Sequence, residues 1–265
     1  MLTAITRQVS ASIGNCELSF HERQPIDVEK AIAQHTDYEH LLTELGLRVL
    51  QLVEEPNLPD AVFVEDAAVV VDEVAVICRM GVLSRRPEAQ SVAAALSDYR
   101  RLEFLTEPAT LDGGDVMRIG RKVFVGATNR TNAEGVAQLR NALAPFGYDV
   151  SEVSVTGCLH LKSACSYVGR DSILVNRKLF DASPLAGFEL IEVPESEQAA
   201  ANVLSVGNAV IVPASFPETR SMLEARGLVV RSVDVSEFQK AEGGVTCKSI
   251  ILECEDEGRG MRAEG

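Results

Sequence analysis

Gly46-Leu47-Arg48-Val49-Leu50-Gln51-Leu52 is the stretch on which the fold turns. One element ends at a glycine and an alternating apolar run follows at once. Upstream, residues 26–45 have the periodicity of an amphipathic helix, with Pro25 as its start signal and Gly46 as its stop. Glycine there supplies the left-handed residue that closes a helix, and the alternation after it is that of a strand. The same join recurs at Phe146-Gly147-Tyr148-Asp149-Val150 and at Arg226-Gly227-Leu228-Val229-Val230. Gly187-Phe188-Glu189-Leu190-Ile191 is a weaker copy, and Arg100-Arg101-Leu102-Glu103-Phe104-Leu105 is a copy without glycine.

The joins begin at 46, 100, 147, 187 and 227, with gaps of 54, 47, 40 and 40 residues. Five copies of one supersecondary unit are therefore predicted. Each holds a helix, a strand, a polar loop and a further strand or pair of strands. The later strands are expected at 62–71 with 74–78, 116–119 with 122–125, 166–168 with 172–175, 203–206 with 209–212, and 248–252. Asp72-Glu73, Gly120-Arg121 and Gly207-Asn208 read as hairpin turns between them. Five units that cannot bury their faces alone close most naturally into a ring. The reading is one catalytic α/β domain over 1–253, followed by an acidic, frayed tail at 254–265.

At 265 residues the chain can bury a sizeable core. It contains no apolar run of about 18 residues, and Met1-Leu2-Thr3-Ala4-Ile5-Thr6-Arg7 has no signal-peptide core. A cytoplasmic location with six reduced cysteines is expected. No C-x-x-C or H-x-x-x-H spacing occurs, so no metal site is expected. A formal net charge of −14 argues against a nucleic-acid partner and is compatible with a cationic small-molecule substrate.

The chemistry falls in equivalent loops. The first copy offers Asp60-Ala61-Val62-Phe63-Val64-Glu65-Asp66 and the second Leu111-Asp112-Gly113-Gly114-Asp115. The third offers Cys158-Leu159-His160-Leu161-Lys162-Ser163, and the fifth Glu242-Gly243-Gly244-Val245-Thr246-Cys247, where two glycines would free the loop before the thiol. Taken singly, each has an ordinary explanation: a small apolar cysteine entering a strand, a core histidine, a solvated strand edge, a common turn. Arg85 and Arg130 would by default be surface charges. In a ring, however, these loops converge on one axis. A free thiol is only a few per cent ionised near neutrality, and a bound cation beside it favours the thiolate. Carboxylates suit a planar guanidinium through paired, charge-assisted hydrogen bonds. Histidine can protonate a departing amine and then deprotonate water.

Together, Leu58-Pro59-Asp60-x-Val62-Phe63-Val64-Glu65-Asp66, Ser84-Arg85-Arg86, Thr110-Leu111-Asp112-Gly113-Gly114-Asp115-Val116, Arg130-Thr131-Asn132, Leu159-His160-Leu161-Lys162-Ser163 and Thr246-Cys247 resemble the dimethylarginine dimethylaminohydrolases. These belong to the guanidino-group-modifying enzymes, and the matching stretches run from about Leu18 to Leu252. The resemblance implies the pentein fold, a five-fold pseudosymmetric α/β propeller of ββαβ-type units. It implies Cys247 as nucleophile, His160 as general acid/base and Asp112 as the support of His160. Asp66, aided by Glu65, would hold the guanidinium, and Arg85 and Arg130 the substrate carboxylate. Asp60 and the backbone oxygen of Leu18, on a lid around residues 10–20, would take the α-amine, while Ala241 would line the pocket. Lys248 departs from relatives that carry a second cysteine there.

The implied reaction converts Nω-methylated arginines to citrulline and an amine through a covalent thiouronium on Cys247, with no cofactor. Arginine deiminases and amidinotransferases share the fold but carry His-x-Asp where this chain reads His160-Leu161-Lys162. Those enzymes are the alternative reading within the superfamily. A pentein-like binding protein, such as the ribosomal anti-association factors, would have no use for Cys247 and His160 in equivalent loops. The sequence leaves the oligomeric state open, a homodimer included.

Overall fold

Over residues 1–254, which the computed structural model describes, fifteen strands form five three-stranded sheets. The first sheet holds β3 (Ala68–Val70), β4 (Val74–Ile77) and β5 (Arg101–Phe104). The second holds β6 (Val116–Ile119), β7 (Lys122–Ala127) and β8 (Asp149–Ser154), and the third β9 (Cys165–Gly169), β10 (Ser172–Val175) and β11 (Glu189–Glu192). The fourth holds β12 (Leu204–Val206), β13 (Ala209–Pro213) and β14 (Val229–Val233). The fifth joins the chain ends, with β15 (Ile250–Glu253), β1 (Leu2–Arg7) and β2 (Arg48–Leu52). In every sheet the first strand runs antiparallel to the second, and the second parallel to the third.

A parallel pair needs a crossover connection, and helices Val28–Glu44, Ala89–Leu96, Ala133–Leu143 and Pro217–Ala225 supply four of the five. The first starts two residues later than expected because Asp27, rather than Pro25, opens it: its carboxylate accepts from the Lys30 N–H at 3.0 Å. It ends where Gly46 takes φ +87°, and Gly147, Gly187 and Gly227 are likewise left-handed. The helix expected in every unit is absent from the third sheet, where Ser183–Leu185 makes only a 3-10 turn. Asp181 accepts from both the backbone N–H and the hydroxyl of Ser183, a local turn that competes with a helix.

Three further sequence readings change. The strand after each glycine completes the sheet of the hairpin before it, so the repeat is hairpin, helix, strand. The strand expected over 62–71 begins only at Ala68, because Val64–Ala67 is a 3-10 turn. Neighbouring residues of a strand face opposite sides, whereas this turn gives Glu65 and Asp66 polar partners on both. The last strand begins at Ile250 instead of Lys248. The N-terminal strand β1 went unread. It lies between β15 and β2, with Thr3 opposite Leu252 on one side and Arg48 on the other. Cys254, assigned by sequence to the tail, donates its N–H to Met1 O at 2.9 Å and accepts from the Met1 amino group at 2.8 Å. The rest of that tail, 255–265, lies outside the described residues.

The first strands of all five sheets surround a central cavity of about 560 Å³, lined among others by Val69, Met117, Tyr167, Ser205 and Ile251. This is the expected five-fold pentein propeller. Apolar side chains pack in clusters between neighbouring sheets and helices, and the one nearest the site gathers Tyr38, Leu42, Phe63, Phe238, Ala241 and Val245. No helix among the described residues is long and apolar enough to cross a membrane.

Candidate active site

The loops that enter the inner strands meet at one end of the axis. Asp112 is fully buried at the start of the 3-10 turn Gly113–Asp115. Its Oδ1 accepts from the Gly81 N–H at 2.8 Å, and its Oδ2 lies 3.1 Å from His160 Nε2. The other ring nitrogen, Nδ1, faces Asp66 Oδ1 at 3.9 Å. Gly114 makes this approach possible: a Cβ there would stand 2.5 Å from His160 Nδ1 and 2.7 Å from Asp66 Oδ1. Asp115 holds the same loop from behind, accepting from the Leu161 N–H and from the hydroxyls of Thr128 and Thr131.

Cys247 is half-buried on the cluster that also carries Leu18 and Ala241. Its backbone oxygen accepts from the Glu65 N–H at 3.2 Å, and its Sγ accepts from the Gly244 N–H at 3.4 Å. Gly243 and Gly244 do not free this loop, as the sequence suggested, but let it pack closely. A Cβ on Gly243 would strike the Phe63 ring at 2.3 Å, and one on Gly244 would strike Asn202 Oδ1 at 2.0 Å. The left-handed residue of this loop is Glu242, at φ +58°. The Cys247 loop is thus packed in place.

Asn202, from the fourth unit, was missed in the sequence because a single asparagine carries no motif. Its Oδ1 accepts from the Val245 and Thr246 N–H groups, and its Nδ2 donates to Lys162 O and Thr246 Oγ1. One side chain thereby braces the His160 loop against the Cys247 loop.

The expected site residues come together, but Glu65, Asp66 and Arg85 already have charged partners within the protein. Glu65 is taken by Lys162, whose Nζ lies 2.5 Å from Oε1, and by the Thr246 hydroxyl at 2.8 Å from Oε2. These three residues line the catalytic end of the axial cavity. Arg85 is buried between carboxylates, with Asp66 Oδ2 at 2.8 Å and both Glu88 oxygens at 3.1 and 2.9 Å. Asp66 and Arg85, expected at opposite ends of the substrate, therefore form one ion pair. Arg130 donates through Nη2 to Ser19 Oγ at 3.0 Å, while its buried Nη1 has no hydrogen-bond partner. Asp60 accepts from the Glu17 N–H, next to Leu18.

Charge sets the resting protonation. Burial works to lower the His160 pKa, but Asp66, Asp112 and Asp115 outweigh it and hold the imidazole up at about 9. Burial first, and then Glu65 and Asp66, push the Cys247 thiol up to about 12. Burial opposes ionisation of Asp66, yet His160 and Arg85 bring its carboxyl down to about 2. At rest the site is a thiol, an imidazolium and a carboxylate. Asp66, Asp112 and His160 bring ligating atoms within 4.8 Å of one another. The two carboxylates also accept from Gly114, Arg85 and Gly81.

Residues 4–253 match the family described as N,N dimethylarginine dimethylhydrolase, eukaryotic. A Streptomyces coelicolor N(G),N(G)-dimethylarginine dimethylaminohydrolase is 38% identical over 250 residues, spanning 94% of this chain and 96% of that protein. The Pseudomonas aeruginosa protein of the same name is 34% identical over 248 residues, with 93% and 97% covered. A solved structure of the Pseudomonas enzyme, a cysteine-to-serine mutant complexed with citrulline, superposes with a TM-score of 0.90. It is 32% identical and covers 95% of this chain and 100% of its own.

Proposed function

The chain belongs to the dimethylarginine dimethylaminohydrolase family, and from that premise we propose that it hydrolyses Nω-methylated arginines to citrulline and methylamine or dimethylamine. Residues 1–253 would act as one catalytic domain. The observation that carries the substrate choice is the Lys162–Glu65 pair at 2.5 Å. Lysine stands where the deiminase pattern has an acid, and it also occupies the carboxylate beside Asp66. Asp66 is left as the single acceptor for the guanidinium, so the methylated nitrogen needs no hydrogen bond. A site with acceptors on both sides would reject methylation, because a buried acceptor would lose its partner.

In the mechanism, the substrate cation displaces Arg85 from Asp66 and draws down the thiol, whose proton leaves to solvent. The Cys247 thiolate attacks the guanidinium carbon, and His160, held protonated by Asp66 and Asp112, gives its proton to the departing amine. The covalent thiouronium remains. Neutral His160 then takes a proton from water, hydroxide adds to the same carbon, and the thiolate leaves and takes up the hydroxyl proton as citrulline forms. Arg130, whose buried Nη1 makes no hydrogen bond and stands 3.9 Å from Asp112 Oδ2, serves the substrate carboxylate. Asp60 and Leu18 serve the α-amine.

The test is a citrulline assay on arginine and its methylated forms, with Cys247→Ser beside the native enzyme. Methylated substrates should win in kcat/KM by about 10²-fold or more, and the serine variant should be inactive, because its hydroxyl has no dedicated base. Arginine turned over as fast as its methylated forms would make the enzyme a deiminase.

A further inference from the structure

Arg85 and Glu88 lie one turn apart in the 3-10 turn Leu83–Glu88, and both side chains are buried. The Arg85 guanidinium is not shared evenly between its two carboxylates. Glu88 takes two bonds, from Nε at 3.1 Å and from Nη2 at 2.9 Å, whereas Asp66 takes one, from Nη1 at 2.8 Å. Two parallel charge-assisted bonds fix the plane of a guanidinium, and a single bond does not. Nη2 also reaches Asp60 O, at 3.5 Å, and the neighbouring Ser84 hydroxyl donates to Glu17 Oε1 at 2.6 Å. The turn therefore meets the end of the site assigned to the α-amine. Its backbone is held there, with Val82 O accepting from the Arg85 N–H at 3.2 Å and Met80 O from Arg86 Nε at 3.0 Å.

We propose that Glu88 is a positioning residue that clamps Arg85 when the substrate guanidinium takes Asp66, so that the freed Nη1 meets the substrate carboxylate in a fixed plane. The proposal rests on the substrate being a methylated arginine, as read above. Without Glu88, the loss of Asp66 to substrate would strand a buried cation. With it, the arginine gives up one charged bond and keeps two. The two partners act on one another in both directions. Burial works to lower the Arg85 pKa, but Glu88 first and then Asp66 outweigh it and hold it up. Burial pushes the Glu88 carboxyl up to about 7, and Arg85 is the charge that draws it the other way. Asp66 thus serves as the exchangeable partner of Arg85 and Glu88 as the permanent one.

The experiment measures ligand binding to the full-length Cys247→Ser protein by calorimetry, with Glu88 intact and with Glu88→Gln added. It is run above pH 7, at about pH 8, where the Glu88 carboxylate is charged. The ligands are Nω-methylarginine and Nω-methylagmatine, the same cation without the carboxylate. Both must displace Arg85 from Asp66, so that cost cancels in the ratio of their Kd values. The preference for the carboxylate should shrink about three- to tenfold in Glu88→Gln, the cost of ordering one long side chain that is no longer held. A merely structural role would lower Tm and weaken both ligands alike, and a preference equal to the original one overturns the proposal. Should Glu88→Gln fail to fold, Glu88→Asp decides by the same ratio. Its shorter reach cannot make both bonds, and an unchanged preference again overturns the clamp. If the two ligands bind equally well with Glu88 intact, the arginine-type substrate falls, and the proposal with it, before Glu88 is altered.

Discussion

The reaction end and the recognition end of the site are built differently. At the reaction end, Asp112, His160 and the Cys247 loop are held by Gly81, Asp115 and Asn202, contacts that come from neighbouring loops of the ring itself. At the recognition end, the stretch 16–23 has no regular secondary structure, and Phe20 is 49% exposed. It is tied down by single side chains: Asp60 to Glu17, Arg130 to Ser19, and Glu242 to the N–H groups of Ser19, Phe20 and His21. Chemistry is fixed by the fold, whereas recognition depends on contacts that a substrate can replace. Asp60 and Arg130 hold this segment with the same groups assigned to the α-amine and carboxylate.

The comparison breaks first at His160. His160→Ala should cost about 10²–10⁴-fold in kcat with KM little changed, the range for loss of a general acid/base. A covalent adduct on Cys247 should become visible by intact mass after acid quench. In the native enzyme the proton for the leaving amine is lost as pH rises through about 9, so kcat should decline on that side. A variant that loses affinity at unchanged kcat would move His160 to the recognition end.

The two arginines sharpen it. Arg130→Met removes a charge-assisted bond of about 1.5–3 kcal/mol, or about 10- to 100-fold in KM for substrates with a carboxylate. Guanidines lacking a carboxylate should be nearly indifferent. Arg85 is a poorer probe than its sequence suggests. Its loss strands Asp66 and Glu88 in the interior, and Glu88 is already pushed by burial to about 7 despite Arg85. Breaking such a pair costs about 3–5 kcal/mol of stability, so Arg85→Met should lower Tm more than Arg130→Met, whose ion pair with Asp112 is longer, at 3.9 Å. Equal damage to substrates with and without a carboxylate would make Arg130 part of the scaffold.

What was legible in the sequence follows the same divide. The glycines at 46, 147, 187 and 227 announce their conformation locally, so the five-fold repeat could be counted. The order of strands within a unit could not, because Leu47 and its neighbours look the same whichever hairpin they join. β1 escaped because its partners lie at the far end of the chain. Cys247, His160 and Asp112 stood out through their place in equivalent loops. Asn202 and Glu242 act through contacts with residues distant in the chain and leave no local pattern. The Lys162–Glu65 pair needed three dimensions, since 97 residues separate the partners.

Glu242 gives the smallest effect and the finest test of the divide. It holds φ +58°, a strained region for a residue with a side chain. In return, Oε1 accepts from the Ser19, Phe20 and His21 N–H groups at 3.0, 2.6 and 2.6 Å, and Oε2 accepts again from Ser19 at 3.1 Å. Three successive N–H groups around one carboxylate make a small anion nest, and the anion belongs to the loop that ends in Cys247. Glu242→Gln keeps the shape but loses the charge, and its amide nitrogen cannot accept. Hydrogen exchange at Ser19, Phe20 and His21 should quicken several-fold while exchange in β15 stays slow, since local opening leaves the sheets intact. KM should rise about two- to fivefold, because substrate must now order the segment it binds, and kcat should stay within about twofold. A drop in kcat with unchanged exchange would mean that Glu242 serves the nucleophile loop instead, and the two ends of the site would be one unit.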